Sequence, residues 1–318
     1  MTDIRKDSVT YYTVDEEDAG QRIDNFLVRQ LKGVPKSHIY RILRSGEVRI
    51  NKGRVDASAR LNNGDIIRIP PVRTATREET AARAVPPATF PVIYEDEALL
   101  VINKPAGVAV HGGSGVSFGV IEQLRKAHPE WRYLELVHRL DRETSGLLML
   151  AKKRSALVKL HALIRDNVPD KRYLALGLGH WPEHQRHVKL PLYKFSTPEG
   201  ERRVCVREDG ISAHTIFRVV NAYSDFTLME AQLKTGRTHQ IRVHMQASGH
   251  PIAGDEKYGD FPFNKELARH GLKRMFLHAY KLTLPHPLIA DKKLELEAPL
   301  PPELKAFLES LKPYGKKV

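Results

Sequence analysis

The chain is 318 residues long, 41% hydrophobic and 28% charged: enough apolar matter for a core, which excludes simple disorder and suggests two or three domains. Fifty-one Lys and Arg against 38 Asp and Glu leave a net charge of +13, which suits a polyanionic partner, although a soluble basic protein without one has the same balance. One cysteine (Cys205), no run of apolar residues long enough to span a bilayer and a polar N-terminus without a signal-peptide core exclude a disulfide framework, multi-cysteine metal sites and a membrane helix, and lead us to expect a cytoplasmic protein.

In chain order, residues 1–16 read as an N-terminal tail and 17–70 as a small folded unit. Ile23, Phe26, Leu27 and Leu31 recur at helical spacing, and Pro35 suits the first turn of a second helix carrying Ile39, Ile42 and Leu43 inward. Gly46 is a plausible stop. Val48 and Ile50 alternate with Arg49 as in a short strand, Asn51-Lys52-Gly53 and Asn63-Gly64-Asp65 read as turns, and Ile66–Ile69 as a further strand. Residues 20–70 hold 11 Lys or Arg against four acids, over half of the chain's excess charge. Such a concentration suits phosphate binding, because each neutralised phosphate releases counterions. The blander reading is a basic helical domain with a solvated face. The stretch from Gln21 to Ile69 resembles the S4 RNA-binding domain, through Arg22-Ile23-Asp24-Asn25-Phe26-Leu27, Pro35-Lys36-Ser37, Arg41, Gly46-Glu47-Val48-Arg49-Ile50-Asn51 and Gly64-Asp65. That resemblance implies RNA contacts by Arg22, Lys36, Arg41, Arg44 and Arg49.

Residues 71–91 are rich in proline and lack an apolar period, as an extended or mobile linker does. From 92 to 312 a larger domain is expected. Val92–Tyr94 and Leu99–Ile102 read as a hairpin, 117–127 as a helix and Leu147–Ala151 as an apolar strand. Ser155 reads as the cap of a helix carrying Leu157, Leu160 and Ile164. Strands are expected at Lys171–Leu178, Thr215–Val220, Phe226–Leu233 and Phe276–Leu284, and a helix at Thr238–Ala247. Strands outnumber helices without regular alternation. This favours an α+β fold with a mixed, mainly antiparallel sheet, behind a small N-terminal α/β unit.

Several chemistries fit poorly. The glycine-rich segment Gly112–Gly119 lacks the lysine of a phosphate-binding Walker loop and reads as a turn with a possible RNA contact. His239 and His244 are five apart with no acid between them, so no zincin pair forms, and no metal is expected. A lone Cys205 is a weak nucleophile candidate. The segment from Leu136 to Gly146 is harder to set aside. It is a charge-dense loop ahead of an apolar strand, where catalytic groups commonly sit. Asp141 lies between Arg139 and Arg142, whose charges favour its carboxylate, and a carboxylate can be a nucleophile. On these residues alone an ion-paired structural aspartate is favoured.

A resemblance changes that balance. His138-Arg139-Leu140-Asp141-Arg142-Glu143-Thr144-Ser145-Gly146 is similar to the H-R-L-D-x-x-T-S-G motif of the RluA-type pseudouridine synthases. Lys171-Arg172-Tyr173-Leu174-Ala175-Leu176 resembles the family's tyrosine motif, with Arg172 at a variable position. Leu233–His244 resembles its T-G-R-x-H-Q-I-R-x-H motif, and Leu277-His278-Ala279 the segment closing the pocket floor. With the S4-like unit the resemblance covers about residues 17–310. It implies isomerisation of uridine to pseudouridine in 23S (large-subunit) ribosomal RNA, without a cofactor, by a chain expected to be a monomer. It implies Asp141 as the catalytic carboxylate, attacking ribose C1′ or, in an older alternative, the base. Tyr173 stacks on the base or takes its C5 proton, Arg237 pairs with Asp141, and Leu277 lines the pocket. Arg139 fills the space left by the flipped uridine; His138 and Arg242 are further RNA contacts. The rivals are a synthase acting on other rRNA or tRNA uridines, a non-catalytic RNA-binding assembly factor on the same fold, and a nuclease. A nuclease would want clustered carboxylates for metal ions, and none is evident.

Overall fold

The computed structural model describes residues 8–31, 34–72, 85–112, 118–182, 184 and 186–315. The chain divides into two compact units, the first ending at Pro86 and the second beginning at Pro87. Within the expected linker 71–91, residues 73–84 lie outside the described residues, as do residues 113–117 of the glycine-rich segment.

In the first unit, helix α1 (Ile23–Gln30) and helix α2 (Lys36–Arg44) cover one face of a four-stranded sheet. The apolar spacing explains the helices: Ile23, Phe26, Leu27, Ile39, Ile42 and Leu43 are all buried in a single cluster. Pro35 sits one residue ahead of α2, as its N-cap, rather than in its first turn. The strands are β1 (Thr10–Thr13), β2 (Arg49–Ile50), β3 (Gly53–Arg54) and β4 (Ile66–Ile69), in the order β1-β4-β2-β3. The expected tail is therefore corrected. Thr10 to Thr13 pair antiparallel with β4, and Val14 is buried behind them. Four residues carry too short an alternation to be read without the partner strand. The turn between β2 and β3 has Asn51 and Lys52 both at positive φ, the backbone a two-residue hairpin requires.

The second unit is built on a ten-stranded sheet. Its strands are β5 (Val92–Glu95), β6 (Leu99–Lys104), β7 (Glu135–Leu136), β8 (Ser145–Ala151), β9 (Asp170–Leu178), β10 (His187–Val188), β13 (Thr215–Ala222), β14 (Phe226–Leu233), β15 (Leu277–Pro285) and β16 (Lys293–Glu297). The main path runs β10-β13-β14-β9-β15-β8-β6-β5, with β16 on β15 and β7 on β8. Every pairing is antiparallel except β15 with β8. The expected mixed, mainly antiparallel α+β architecture is the one observed.

Apolar side chains fill both faces, which explains the unbroken apolar run of β8. Leu147, Met149 and Ala151 join Leu99 and Val101 on one side, against Ala156 and Leu160 of helix α4 (Arg154–Arg165). Leu148 and Leu150 join Leu100 and Ile102 on the other, against Val120, Ile121 and Leu124 of helix α3 (Val120–Ala127). Lys153 is the N-cap of α4, so Ser155 lies inside the first turn and is not the cap. Helices α5 (Gln240–Ala247), α6 (Phe261–Arg269) and α7 (Pro302–Ser310) bury Ile241, Met245, Leu267, Leu304 and Phe307 against the β9–β14 part of the sheet. The sequence reading contained neither α6 and α7 nor the separate hairpin of β11 (Leu192–Ser196) and β12 (Arg202–Val206).

Candidate active site

Asp141 stands in the loop that enters β8. Thr144 N–H donates to the Asp141 carbonyl at 3.1 Å and closes a turn around it. Leu140 is buried in the cluster against which Tyr173 packs, and that anchors the loop beside β9. Lys104, fully buried at the end of β6, donates to the carbonyls of Pro105 (2.8 Å), Val108 (2.8 Å) and Arg142 (3.1 Å). Its three protons thus tie two loops together one residue from Asp141. Burial pulls its ammonium down to about 7.

The Asp141 carboxylate is partly exposed and receives Arg242 Nη1 at 3.3 Å. Arg242 is 7% exposed. Its Nε and Nη2 donate to the two oxygens of buried Asp255 at 2.7 and 2.8 Å, which holds the guanidinium in one plane. Asp255 also accepts the N–H groups of Lys257 (2.8 Å) and Tyr258 (3.0 Å). These bonds, with Arg242, hold its carboxyl below the ordinary range despite burial. The two carboxylates push the Arg242 guanidinium upward, so it stays charged.

His239 completes the cluster, its Nε2 3.8 Å from the same Asp141 oxygen. Tyr258 Oη accepts Val204 N–H at 3.0 Å and lies 2.6 Å from His239 Nδ1; a neutral ring that turns its Nε2 proton toward the Asp141 carboxylate accepts the phenol proton at Nδ1. Burial lowers the His239 pKa, which favours that neutral form. His239 caps α5 in the left-handed region (φ 54°), uncommon for a residue with a side chain. His239 and Arg242 are three apart at the start of α5 and so share one face.

Tyr173 is half-buried on β9, opposite Ala279 of β15. Burial, then the charge of Asp141, raise its phenol above the ordinary value, so it is protonated at neutral pH. Leu277 is buried in the apolar cluster on which Tyr173 also rests. Among the described residues no group of His, Cys, Asp or Glu could hold a metal ion.

Three expectations are corrected. Arg237 does not pair with Asp141: it is exposed, and its Nε donates to the Ser212 carbonyl at 3.2 Å. It lies ahead of α5, outside the helical turn that carries Arg242. Arg242, expected on RNA, is the partner of Asp141. His138 is half-buried, and its Nε2 accepts Met149 N–H at 3.1 Å. Burial, aided by Lys171, lowers it to about 4, so the ring is neutral and engaged inside the domain rather than offered to RNA. Arg139 is exposed, as expected. In the first unit Lys36, Arg44 and Arg49 are exposed, whereas Arg22 pairs with Asp24 (2.6 Å) and Arg41 with Glu47 (3.5 Å). The sequence reading missed Lys104, Asp255 and Tyr258 as site-builders and His239 as a neighbour of Asp141. Asp255 and Tyr258 did carry a signal, three residues apart in the turn-rich Gly-Asp-Glu-Lys-Tyr-Gly segment.

A family model for RNA pseudouridylate synthase matches residues 98–247, and one for the S4 domain matches residues 21–67. The chain is 52% identical over 309 residues to ribosomal large subunit pseudouridine synthase C of Pasteurella multocida (strain Pm70), covering 96% of this chain and 94% of that protein. It is 52% identical over 311 residues to the protein of the same name from Escherichia coli (strain K12), covering 96% and 97%. The structure of human RNA Pseudouridylate Synthase Domain Containing 1 superimposes with a TM-score of 0.58 at 27% identity, over 71% of this chain and 89% of that one. With half of its residues identical over nearly its whole length, the chain belongs to the RNA pseudouridylate synthase family, with an S4 domain ahead of the synthase domain.

Proposed function

We propose that the chain converts uridines of large-subunit ribosomal RNA to pseudouridine, in the cytoplasm and as a single chain, with Asp141 as the catalytic carboxylate. The substrate reading is supported by half-identity, over nearly the full length, to relatives named for that reaction on that RNA. The observation that carries the chemistry is the Asp141 carboxylate held 3.3 Å from a guanidinium that Asp255 fixes from behind. All of these groups come from one chain.

A stacked uridine is beyond reach and must leave the helix, with exposed Arg139 filling the gap. Asp141 then attacks ribose C1′, and the C1′–N1 bond breaks with its electron pair leaving on the base. The base rotates, C5 attacks C1′ and the C1′–O bond to Asp141 breaks with its electron pair returning to the carboxylate; the C5 proton is lost and N1 gains one, so the product is an isomer of the substrate. Arg242 keeps the nucleophile ionised and aimed, and the neutral His239 Nε2–H limits the oxygen's freedom. Tyr173, whose phenol stays protonated at neutral pH, has no phenolate there to take the C5 proton and suits stacking on the base.

Mapping pseudouridine in large-subunit rRNA from a strain lacking the gene tests this. One or more sites should revert to uridine, be restored by the wild-type gene and stay unmodified with Asp141→Asn. That variant should bind RNA as wild type does. Unchanged modification in the deletion strain overturns the substrate, and restoration by Asp141→Asn overturns the role of the carboxylate.

A further inference from the structure

The first unit's sheet has two unlike faces. Ile67 and Ile69 of β4 and Tyr12 of β1 turn toward α1 and α2. On the other face the register sets Tyr11 opposite Arg68, Arg68 opposite Arg49 and Arg49 opposite Arg54. One aromatic and three guanidinium groups therefore stand in a single row across all four strands. Like charges directly opposite destabilise a sheet, and adjacent strands are only about 4.8 Å apart. Among the described residues, no carboxylate pairs with Arg49, Arg54 or Arg68. The helical side contrasts with this. Arg22, Arg29 and Arg41 each hold an acid, Asp24, Asp18 and Glu47.

A purely structural role accounts for little of the row. Arg68 gives one N–H to the Glu47 carbonyl (2.6 Å), and Arg49 donates to the carbonyls of Gly46 (3.1 Å) and Lys52 (3.5 Å). These bonds cap the turn after α2 but use a minority of the donors and none of the charge. Among the described residues Arg54 forms no such bond, and it lies across Gly46, where a Cβ would stand 2.6 Å from its Nε. Tyr11, beside them, is 62% exposed.

We propose that this sheet face, Tyr11 with Arg49, Arg54 and Arg68, is an RNA-binding surface separate from the helices, holding phosphates on the arginine row and an unstacked base on Tyr11. The proposal rests on the reading of the chain as an RNA-modifying enzyme and adds where its first unit grips the substrate. Phosphate contacts position without specifying, and aromatic stacking tolerates any base, so the face supplies affinity rather than sequence choice.

The test is binding of the full chain to deproteinised large-subunit rRNA between 50 and 200 mM salt, with pseudouridine formation by the wild type measured in parallel. Arg49→Gln/Arg54→Gln/Arg68→Gln should flatten the plot of log affinity against log salt by roughly two to three units. The charge-matched control Lys265→Gln/Arg269→Gln/Lys305→Gln should leave the slope near that of the wild type. Tyr11→Ala should weaken binding roughly tenfold with the slope unchanged, as loss of a stacked base does. If the triple variant unfolds early, Arg54→Gln alone carries the test, with a slope flatter by roughly one unit. Arginine variants that match the control overturn the proposal even if the wild type makes pseudouridine. A wild type that makes none overturns the function instead, whatever the slopes.

Discussion

Asp141 depends on residues that do not themselves face solvent. The guanidinium of Arg242 spends two donors on Asp255 and offers the third nitrogen to Asp141, so its direction is set from the buried side. Loss of one partner of such a pair leaves a charge stranded, at a cost of about 3–5 kcal/mol. Arg242→Gln strands Asp255 and frees Asp141 together. We expect it to reduce pseudouridine formation by at least two orders of magnitude, whereas Arg237→Gln, whose side-chain bond among the described residues is to the Ser212 carbonyl, should cost less than tenfold. Single-turnover rates on rRNA at saturating enzyme decide between them. Equal losses would return the pairing role to Arg237.

At the scale of elements, the Asp141 loop is positioned by where β8 begins. Ser145 and Gly146 pair in parallel with His278 and Ala279 of β15, the single parallel contact in the sheet. Gly146 has φ 113°, and a Cβ there would lie 2.2 Å from the Ala279 carbonyl oxygen. The glycine that closes the aspartate motif is thus the point where two strands of distant sequence touch backbone to backbone. Gly146→Ala must open that contact and adopt a backbone few side chains tolerate. It should lower stability by about 3 kcal/mol or more in urea unfolding, and displace the loop so that activity falls with it. Wild-type stability in that variant would show that the approach is not structural.

For the whole molecule, pH acts through a buried histidine of β15. His278 is fully buried; its Nδ1 faces Ser145 Oγ (2.9 Å), which in turn receives Arg274 Nη2 (2.8 Å), and its Nε2 donates to the Ala298 carbonyl (3.2 Å). Burial lowers its pKa to about 4, against about 6.5 in the unfolded chain. Between those values the unfolded chain binds the proton that the folded one refuses. Stability is therefore intact above pH 6.5 and falls as pH drops toward 4. The expected loss from pH 7 to pH 5 is about 2 kcal/mol from this ring, read by urea unfolding at both pH values and reduced by that amount in His278→Gln. A variant that keeps the full pH dependence would assign it elsewhere, His138 being the other buried ring lowered to about 4.

Much of this was legible in order along the chain. The alternation and helical spacing of apolar residues marked most strands and helices, because burial of one face imposes a period on the sequence itself. The charge-dense stretch from His138 to Gly146 marked the loop of Asp141, since a polar run ahead of an apolar strand is a local feature. What pairs with what was not local. Arg237 and Arg242 are both arginines in one motif, and only the turn of α5 decides which of them faces Asp141, 101 residues away. The row of Tyr11, Arg68, Arg49 and Arg54 is likewise invisible in the sequence, where those residues are scattered; strand register aligns them. Composition and periodicity determined the fold class and marked a charge-dense loop, and the resemblance of its motif pointed to Asp141 within it. Tertiary structure decided partners, tautomers and faces, because a hydrogen bond or ion pair depends on distance in space, which the order of residues does not encode.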